Sequence, residues 1–332
     1  MKIVIDMMGG DNGLSSTIPA TLQFLKKYDD IELFLIGDKD ALTKEFASFT
    51  NVQVINSTSV IKMDADPLTA LHDKNSSLMV SISTYLENNC DALISAGSTG
   101  ALLAASTLKL KRIKGISRPG LITSFPTYIK GKKFVCCDLG ANTSNTKEDL
   151  IQFAIMGSIY YSCLYNDENS KSPRVFLLNN GEEAEKGTQL NKEAYPLLKE
   201  NKFINFCGNI EGRYPLYGNL DVLVCDGYSG NIFLKTMEGT AKIMSEMIKD
   251  VYKKNIFTKV AYLFTKSGIT EMKEKMDYKN VGGALLGGVN GVVIKAHGSC
   301  DVKCFLSALD NAHRLVVHKI VEQFKLKIGD EI

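Results

Sequence analysis

Short apolar runs alternate with longer stretches of helical periodicity along the chain. Several runs, such as Asp221 to Asp226, are apolar without a two-residue period, which is typical of strands covered on both faces. This alternation predicts an α/β protein with a mostly parallel sheet wrapped by helices. The predicted strands are Lys2 to Asp6, Ile31 to Gly37, Val52 to Asn56, Ala92 to Ala96, Phe134 to Asp138, Val175 to Asn179, Ile204 to Gly208, Val222 to Asp226 and Val292 to Ala296.

The predicted helices fill the gaps between these strands. They lie near residues 15–28, 76–89, 98–111, 147–164, 229–254 and 302–324. No internal repeat, low-complexity tract or flexible linker divides the chain into independent units. We therefore expect a single α/β domain of two intertwined lobes over residues 1–332, with a small helical extension at 249–279 that contacts a membrane or a dimer partner.

Charge and apolar content narrow the function classes. The 332-residue chain has 39 Lys and Arg against 37 Asp and Glu, so its formal charge is +2. A dedicated nucleic-acid binder usually has a broad basic excess, and we expect no nucleic-acid partner. Asp6 interrupts the first apolar run too early for a signal peptide, and no apolar run is long enough to span a membrane. The sequence predicts an intracellular protein.

Motifs for metals and nucleotides are missing from the sequence. The eight cysteines show no CxxC pair and no Cys/His ligand spacing, so we interpret them as reduced core residues, with Cys136, Cys137 and Cys225 inside β-type runs. There is no GxxxxGK[ST], and no GxGxxG follows the first strand, which disfavours NTP and NAD. HExxH, GxSxG and clustered carboxylate and His ligands are also missing. We expect no metal.

Glycine and polar residues follow most of the predicted strands. Parallel sheets bind ligands at the carboxyl ends of strands, where glycine lets the backbone approach closely and the next helix directs free N–H groups at an anion. Each turn alone is more simply explained as strand-to-helix turn chemistry. Seven in one chain predict a shared polar crevice. They are residues 6–11, 95–101, 138–142, 179–183, 208–212, 226–231 and 295–299.

Eight segments carry a family resemblance. They are Asp6 to Asp11, Lys74 to Ser77, Ser95 to Ala101, Arg112 to Pro119, Asp138 to Asn142, Gln152 to Ser158, Asp226 to Asn231 and Ile294 to Ser299. In this order the chain resembles, over nearly its whole length, the acyl-ACP:phosphate acyltransferases of bacterial phospholipid synthesis. It departs from the family at Asn12, Ser98 and Tyr214, where His, Asn and Asp are common.

The resemblance implies a fold and a reaction. The fold would be a three-layer α/β/α arrangement akin to phosphotransacetylase and to isocitrate and isopropylmalate dehydrogenases, in a homodimer without an organic cofactor. The reaction would move a fatty acyl group from acyl carrier protein to inorganic phosphate. Phosphate is itself the nucleophile, so no acylated side chain is needed. The acyl-phosphate product would pass to a downstream membrane glycerol-phosphate acyltransferase.

Residue type and position then assign the substrate site. We expect Ser98 and Thr99 to hold phosphate at a helix start, with Lys74 completing the cage. The residues expected to bind phosphate or substrate are Gly9, Gly10, Asp11, Lys74, Ser76, Ser77, Gly97, Ser98, Thr99, Gly100, Asn142 and Lys235.

Four further residues are candidates for the chemistry. Lys186 is expected to stabilise the oxyanion or the phosphate, or else to be a solvated loop charge. His297 is expected to protonate the leaving thiolate, because imidazole titrates near neutrality, or else to bond a backbone carbonyl. Asp226 and Asn231 are expected to orient Lys235 or to cap the following helix.

The stretch from Lys249 to Lys266 is predicted to form one amphipathic helix. Five lysines against one aspartate give it a local charge of +4, which suits an anionic membrane surface. The alternative is a helix that buries its apolar face in the core or in a dimer interface. We expect a cytoplasmic, peripherally membrane-associated protein. The predicted membrane contacts are Ile256, Phe257, Val260, Leu263 and Phe264.

Three other functions remain open. A phosphotransacetylase-like enzyme would move acyl groups between CoA and phosphate, and shares both the phosphate and the thioester. A metal-dependent decarboxylating dehydrogenase would share the fold, although its grouped aspartates and arginines are not evident. A scaffold at the membrane surface would show no phosphate-dependent acyl transfer.

Overall fold

The computed structural model describes residues 1–165, 172–276 and 282–329. The strands are β1 (Lys2–Asp6), β2 (Glu32–Gly37), β3 (Val52–Asn56), β4 (Ala92–Ser95), β5 (Gly120–Pro126), β6 (Lys133–Cys137), β7 (Arg174–Asn179), β8 (Asn205–Glu211), β9 (Val222–Val224), β10 (Ala284–Gly287) and β11 (Val292–Lys295). The helices are α1 (Leu14–Lys27), α2 (Lys39–Phe46), α3 (Pro67–Ala70), α4 (Ser77–Glu87), α5 (Thr99–Lys109), α6 (Lys147–Tyr165), α7 (Gln189–Glu200), α8 (Gly227–Lys253), α9 (Ile256–Met276), α10 (Val302–Val317) and α11 (Ile320–Gly329).

The strands form one sheet in the order β3-β2-β1-β4-β11-β10-β5-β6-β9-β7-β8. Strands β1 to β4 and β11 are mutually parallel. β10 runs antiparallel to both β11 and β5, and β5 runs antiparallel to β6. β6, β9, β7 and β8 are again parallel to one another. The sheet therefore consists of two parallel halves that point in opposite directions.

Helices cover both faces of this sheet. Ile3 and Ile5 of β1 belong to one core, with Phe24 of α1 and Phe305 of α10. Val4, between them, belongs to the second core, which α4, α5 and α8 cover. Successive side chains of a strand point to opposite faces, so a strand buried on both sides is apolar throughout. The predicted three-layer α/β/α fold is confirmed.

All nine predicted strands are present, within one or two residues at most ends. The sequence analysis missed β5 and β10, and it missed the helices α2, α3 and α7. β5 begins with glycine, ends with proline and contains Thr123 and Ser124, while β10 has four residues and is followed by a second glycine. Both therefore lack the long apolar run used to identify the other strands. The division into two lobes stays a prediction.

The single amphipathic helix predicted from Lys249 to Lys266 is wrong. α8 ends at Lys253 and α9 begins at Ile256. Asn255 causes the break, because its Oδ1 accepts the N–H of Thr258 at 2.9 Å and so caps a new helix. The end of the predicted extension, residues 277–279, lies outside the described residues. Among the described helices, none is long and apolar enough to cross a membrane.

The interpretation of all cysteines as reduced core residues is also wrong. Cys300 and Cys304 form a disulfide at the start of α10. One turn of chain places their Cα atoms 5.3 Å apart, within the range that a disulfide bridges. Cys207 is exposed rather than buried, whereas Cys136 and Cys137 lie in the core as predicted.

Candidate active site

A row of polar residues crosses the carboxyl ends of three neighbouring strands. Asp6 of β1 pairs in register with Ser95 of β4, which pairs with Lys295 of β11. The Ser95 hydroxyl donates to Asp6 Oδ2 at 2.7 Å. Lys295 Nζ donates to the carbonyl of Ala96 at 3.1 Å and to that of Ala296. An acid and an amine are thus buried together in the centre of the sheet.

Burial shifts the titration of both groups. It lowers the pKa of Lys295 to about 8, although the charges of Asp6 and Asp11 oppose the shift, and Lys235 adds to it. Burial likewise raises the pKa of Asp6, against the hydrogen bond from Ser95. Groups with strongly shifted pKa values cluster at functional sites, because catalysis needs pKa values matched to its task.

A cavity of about 430 Å³ opens above Lys295. It lies between the ends of β4 and β11 on one side and the first turns of α8 on the other. Its lining includes Asp11, Thr99, Leu121, Thr123, Phe125, Gly140, Asn231, Leu234, Lys235, Glu238, Lys295, His297 and Ser299. The walls combine apolar residues of β5 and α8 with charged groups, as in many small-molecule sites.

Three charged side chains form a network at the rim. Lys235 Nζ donates to Glu238 Oε2 at 2.9 Å, and His297 Nε2 lies 3.7 Å from Glu238 Oε1. Burial would raise the pKa of Glu238, but hydrogen bonds from His297 and Lys235 outweigh it and lower that pKa. The carboxylate therefore lies between the Lys235 ammonium and the ring of His297. Nδ1 of the same ring lies 3.0 Å from the Ser299 hydroxyl.

A helix start faces the same cavity. Ser98 is the N-cap of α5, and its hydroxyl accepts the N–H of Ala101 at 3.5 Å. Thr99, the first residue of α5, lines the cavity. Free N–H groups at a helix start attract anions, so the start of α5 and the ammonium of Lys295 both favour an anion in this cavity.

The chain matches a known protein family over nearly its whole length. The sequence model of a family described as "Fatty acid synthesis protein" matches residues 1–323. A protein of Exiguobacterium sp. named "Phosphate acyltransferase" is 41% identical over 328 residues, which cover 98% of each chain. The chain belongs to this phosphate acyltransferase family. The resemblance stated from the eight sequence segments is confirmed.

Solved structures share the fold of this family member. A phosphotransacetylase from Streptococcus pyogenes aligns with a TM-score of 0.62 at 17% identity, over 97% of this chain and 94% of that one. A 4-hydroxythreonine-4-phosphate dehydrogenase from Klebsiella pneumoniae aligns with a TM-score of 0.53 at 11% identity, over 95% and 99%. At these identities the likeness concerns the fold alone, and it supports the predicted phosphotransacetylase-like and dehydrogenase-like architecture.

Five of the seven polar turns reach the cavity. They supply Asp11, Thr99, Gly140, Asn231 and the segment 295–299. The turns at 179–183 and 208–212 do not line it. The first follows β7, and the second is mostly part of β8 itself, at the far edge of the second, oppositely directed half of the sheet. The expected crevice shared by all seven is therefore corrected to one shared by five.

Three glycines of the predicted set are required by close packing. A Cβ on Gly9 would lie 2.7 Å from Asp6 Oδ2 and from the Gly97 amide. Gly10 has a φ of +86°, and a Cβ there would lie 2.8 Å from the carbonyl of Gly298. Gly100 similarly packs on Pro67, which fixes α5 against its neighbour. These glycines hold the loops around the polar row.

Several predicted residues instead support the local structure. Asp226 caps α8, since its Oδ1 accepts the N–H of Ser229 at 2.9 Å. Ser76 caps α4, next to the buried Ser77. Asn142 Nδ2 donates to the buried carboxylate of Asp138 at 2.7 Å. These contacts account for the positions of these residues without a bound substrate.

The structure leaves two predicted cations outside the cavity. Lys74 is exposed in the turn before α4, and Lys186 is exposed in the loop after β7. Neither lines the cavity. Their roles stay predictions, whereas Lys235 and His297 lie where the sequence analysis expected a site.

Sequence reasoning missed Lys295 and Glu238. A single lysine at the end of a fully apolar run was a signal for Lys295, because an isolated charge is expensive to bury without a purpose. Glu238 lies three residues after Lys235 on α8, a spacing that places both on one helix face. The pairing was therefore readable from the sequence once the helix was assigned.

We expect Lys295→Met to stabilise the protein near neutral pH. The pKa of about 8 lies below the ordinary 10.5, so the cost of the buried charge is fully present below pH 8 and fades as the pH rises towards 10.5. The variant should gain roughly 1–3 kcal/mol in the free energy of unfolding at about pH 7, and less at about pH 9.5. Urea unfolding measures both.

Lys109→Met, at the exposed end of α5, is the matched control. It should change the free energy of unfolding by less than about 0.5 kcal/mol at either pH. A Lys295→Met variant that is less stable than the parent at neutral pH would show that the ammonium group is a net stabilising element of the sheet.

Proposed function

We propose that the protein transfers a fatty acyl group from acyl carrier protein to inorganic phosphate, giving an acyl phosphate for phospholipid synthesis. The observation that carries the proposal is the cavity in which the ammonium of Lys295 and the start of α5 face one another beside His297. A cation and a helix start suit a phosphate dianion, and the imidazole of His297 can carry a proton to the leaving group. The relatives named phosphate acyltransferase support the same reaction.

In the proposed mechanism, phosphate acts directly on the thioester. Lys295 and the Thr99 hydroxyl hold the phosphate, and one of its oxygens attacks the carbonyl carbon. The new C–O bond forms while the carbonyl π pair moves onto oxygen. When this tetrahedral oxyanion collapses, the C–S bond breaks and its electron pair leaves on sulfur. The thiolate then takes a proton from His297, whose Nε2 lies 3.7 Å from Glu238 Oε1. Lys235, 2.9 Å from Glu238, lies on the same side of the cavity and faces the developing oxyanion.

The donor is tested by direct product analysis. The protein is incubated with phosphate and either palmitoyl acyl carrier protein or palmitoyl-CoA, and acyl phosphate is measured by mass spectrometry. We expect phosphate-dependent product with a kcat/KM at least about tenfold higher for the carrier protein. A preference for the CoA thioester would instead support a phosphotransacetylase-like enzyme, and no product from either donor would support a non-catalytic scaffold.

Thr99→Val should weaken phosphate binding. The substitution keeps the shape of the side chain and removes one hydroxyl at the start of α5, so we expect the KM for phosphate to rise at least about fivefold with kcat within about threefold. Thr107→Val is the control. It lies on the same helix, its buried hydroxyl has no hydrogen-bond partner among the described residues, and it does not line the cavity of Lys295. Equal phosphate KM values for the two variants would remove Thr99 from the site.

The proposed role in lipid synthesis includes contact with an anionic membrane. Apolar side chains of α9 are exposed to solvent, Phe257 by 82% and Phe264 by 85%. Tyr252 of α8 and Tyr262 of α9 contact each other edge to face, so α9 turns its apolar side away from α8. The apolar face of α9 is therefore not packed in the core. The five lysines between positions 249 and 266 complement anionic headgroups.

Leu263→Asp with Phe264→Asp should abolish sedimentation with anionic vesicles. The substitutions replace two exposed apolar side chains that would insert into the membrane. The rate of acyl transfer in solution should stay within about twofold of the parent. Ser267→Asp with Thr270→Asp is the control, because it adds the same two charges to exposed positions of α9 without removing an apolar group. Loss of vesicle binding in both variants would indicate a purely electrostatic contact. Retention in the first would end the membrane proposal.

The homodimer is part of the same proposal. Exposed apolar residues also line α8, where Ile243 is 57% and Met247 63% exposed. A surface of this kind on a long helix suits a second copy of the chain. Product delivery to a membrane glycerol-phosphate acyltransferase would follow from the membrane contact, because acyl phosphate carries an apolar tail.

A further inference from the structure

A basic segment links α5 to β5. Residues 109–119 contain five basic side chains and no acidic one, in a chain whose formal charge is only +2. The five, all exposed, are Lys109, Lys111, Arg112, Lys114 and Arg118. Arg118 Nε lies 3.8 Å from the buried carboxylate of Asp149, which offsets part of its charge. The other four form no salt bridge among the described residues, so their charges face solvent.

The backbone of this basic segment is held in place. Lys111 has a φ of +64°, a conformation that a lysine keeps only where its surroundings impose it. Asn290, in the turn between β10 and β11, donates its N–H to the Lys111 carbonyl at 3.0 Å and its Nδ2 to the Arg112 carbonyl at 2.9 Å. Further along, the Ser117 hydroxyl donates to the buried Asp149. The four cations are therefore presented by a well-anchored loop.

Charge dominates the exposed surface of the basic segment. Its large apolar side chains, Leu110, Ile113 and Ile116, are at most 6% exposed. Leu108, just before the segment, is 59% exposed. A surface that inserts into a membrane needs several exposed apolar groups, as α9 has. One exposed leucine beside four cations instead suits the polar, acidic surface of a protein.

The basic segment is tied at both ends to the cavity above Lys295. Thr99 begins α5 and lines that cavity, and Lys109 at the end of the helix lies ten residues later, roughly 15 Å along the helix axis. β5 follows the segment, and Leu121, three residues after Arg118, lines the same cavity. No residue of 109–119 lines it. A protein bound to the segment is therefore close to the site without filling it.

We propose that residues 109–119 dock the folded body of the acyl carrier protein, through an acidic surface of that carrier. This inference rests on the proposed function and names where its protein substrate binds. A carrier protein holds its acyl thioester on a flexible arm, so the surface on which its body docks must lie apart from the reacting carbonyl carbon. Charge complementarity speeds such an encounter and selects the partner, while the chemistry stays in the cavity.

Lys111→Glu with Lys114→Glu reverses two of the four cations and tests this assignment. We expect kcat/KM for palmitoyl acyl carrier protein to fall at least about tenfold, with kcat at saturating donor within about threefold, because docking is weakened and the cavity is intact. The Kd of the carrier protein, measured by fluorescence anisotropy, should rise at least about tenfold. For palmitoyl pantetheine, which has the arm but no protein body, kcat/KM should change by less than about twofold.

Lys192→Glu with Lys199→Glu is the matched control. Both lysines are exposed on α7, which packs against β7 and β8 at the far edge of the sheet, and the substitutions change the net charge by the same amount. This variant should keep kcat/KM for the carrier protein within about twofold. Added salt should lower kcat/KM of the parent more steeply than that of the variant at 111 and 114, because salt screens the attraction that this variant lacks.

Equal losses with the carrier protein and with palmitoyl pantetheine would overturn the docking assignment, because the substitutions would then act on the cavity. Unchanged kcat/KM for the carrier protein would overturn it too, and loss of sedimentation with anionic vesicles would then assign the segment to a membrane surface. Circular dichroism checks the fold of each variant, and Lys111→Gln with Lys114→Gln serves if the charge reversal fails to fold. Absence of phosphate-dependent transfer by the parent with any donor would overturn the proposed function, while anisotropy would still show whether an acidic carrier docks here.

Discussion

The buried ammonium group of Lys295 is the constraint on which the centre of this protein depends. A lysine amine can lie inside a sheet only if its hydrogen bonds and charge are met there. The carbonyls of Ala96 and Ala296 and the carboxylate of Asp6 meet that need, and the positions of Ala96 and Asp6 depend on the parallel register of β1, β4 and β11. A slip of one residue would turn the amine to the opposite face. The register of three strands and the position of the cation are therefore one requirement.

The opposed directions of the two half-sheets explain how a single cavity receives groups from both. The first half directs the carboxyl ends of β4 and β11, with Thr99 and His297, to one end of the sheet. α8 starts after β9, which runs the other way, and so returns across the sheet face towards that end. It carries Lys235 and Glu238 to His297. Neither half contains the complete set of charged groups.

The sequence was most informative where burial leaves a simple pattern. β1, β4 and β11 are covered on both faces, and their continuous apolar runs identified them. β5 and β10 were missed because they are short or carry Gly, Pro and Thr, and these two strands reverse the direction of the sheet. Strand direction depends on pairing between residues far apart in sequence, which no local pattern records.

The same reasoning separates the site residues that were predicted from those that were not. Turns rich in glycine and hydroxyl groups identified Thr99 and His297, since their chemistry is local to the segment. Lys186 follows an equally convincing turn, but that turn belongs to β7 at the edge of the second half. Lys295 was overlooked because its role comes from partners on two other strands. The disulfide of Cys300 and Cys304 was missed because only CxxC spacing was considered, whereas a helical turn joins cysteines four residues apart.

The place of β10 and β11 in the sheet also determines the order in which the protein can be completed during synthesis. These strands are among the last made, yet they lie between β4 and β5 and join the two halves. Until residues 284–295 have left the ribosome, the facing edges of β4 and β5 have no partner, and exposed edges of this kind invite aberrant pairing. Such long-range closure is slow. The nascent chain therefore acquires its central cation and His297 in the same late step that seals its sheet, and an incomplete copy carries neither.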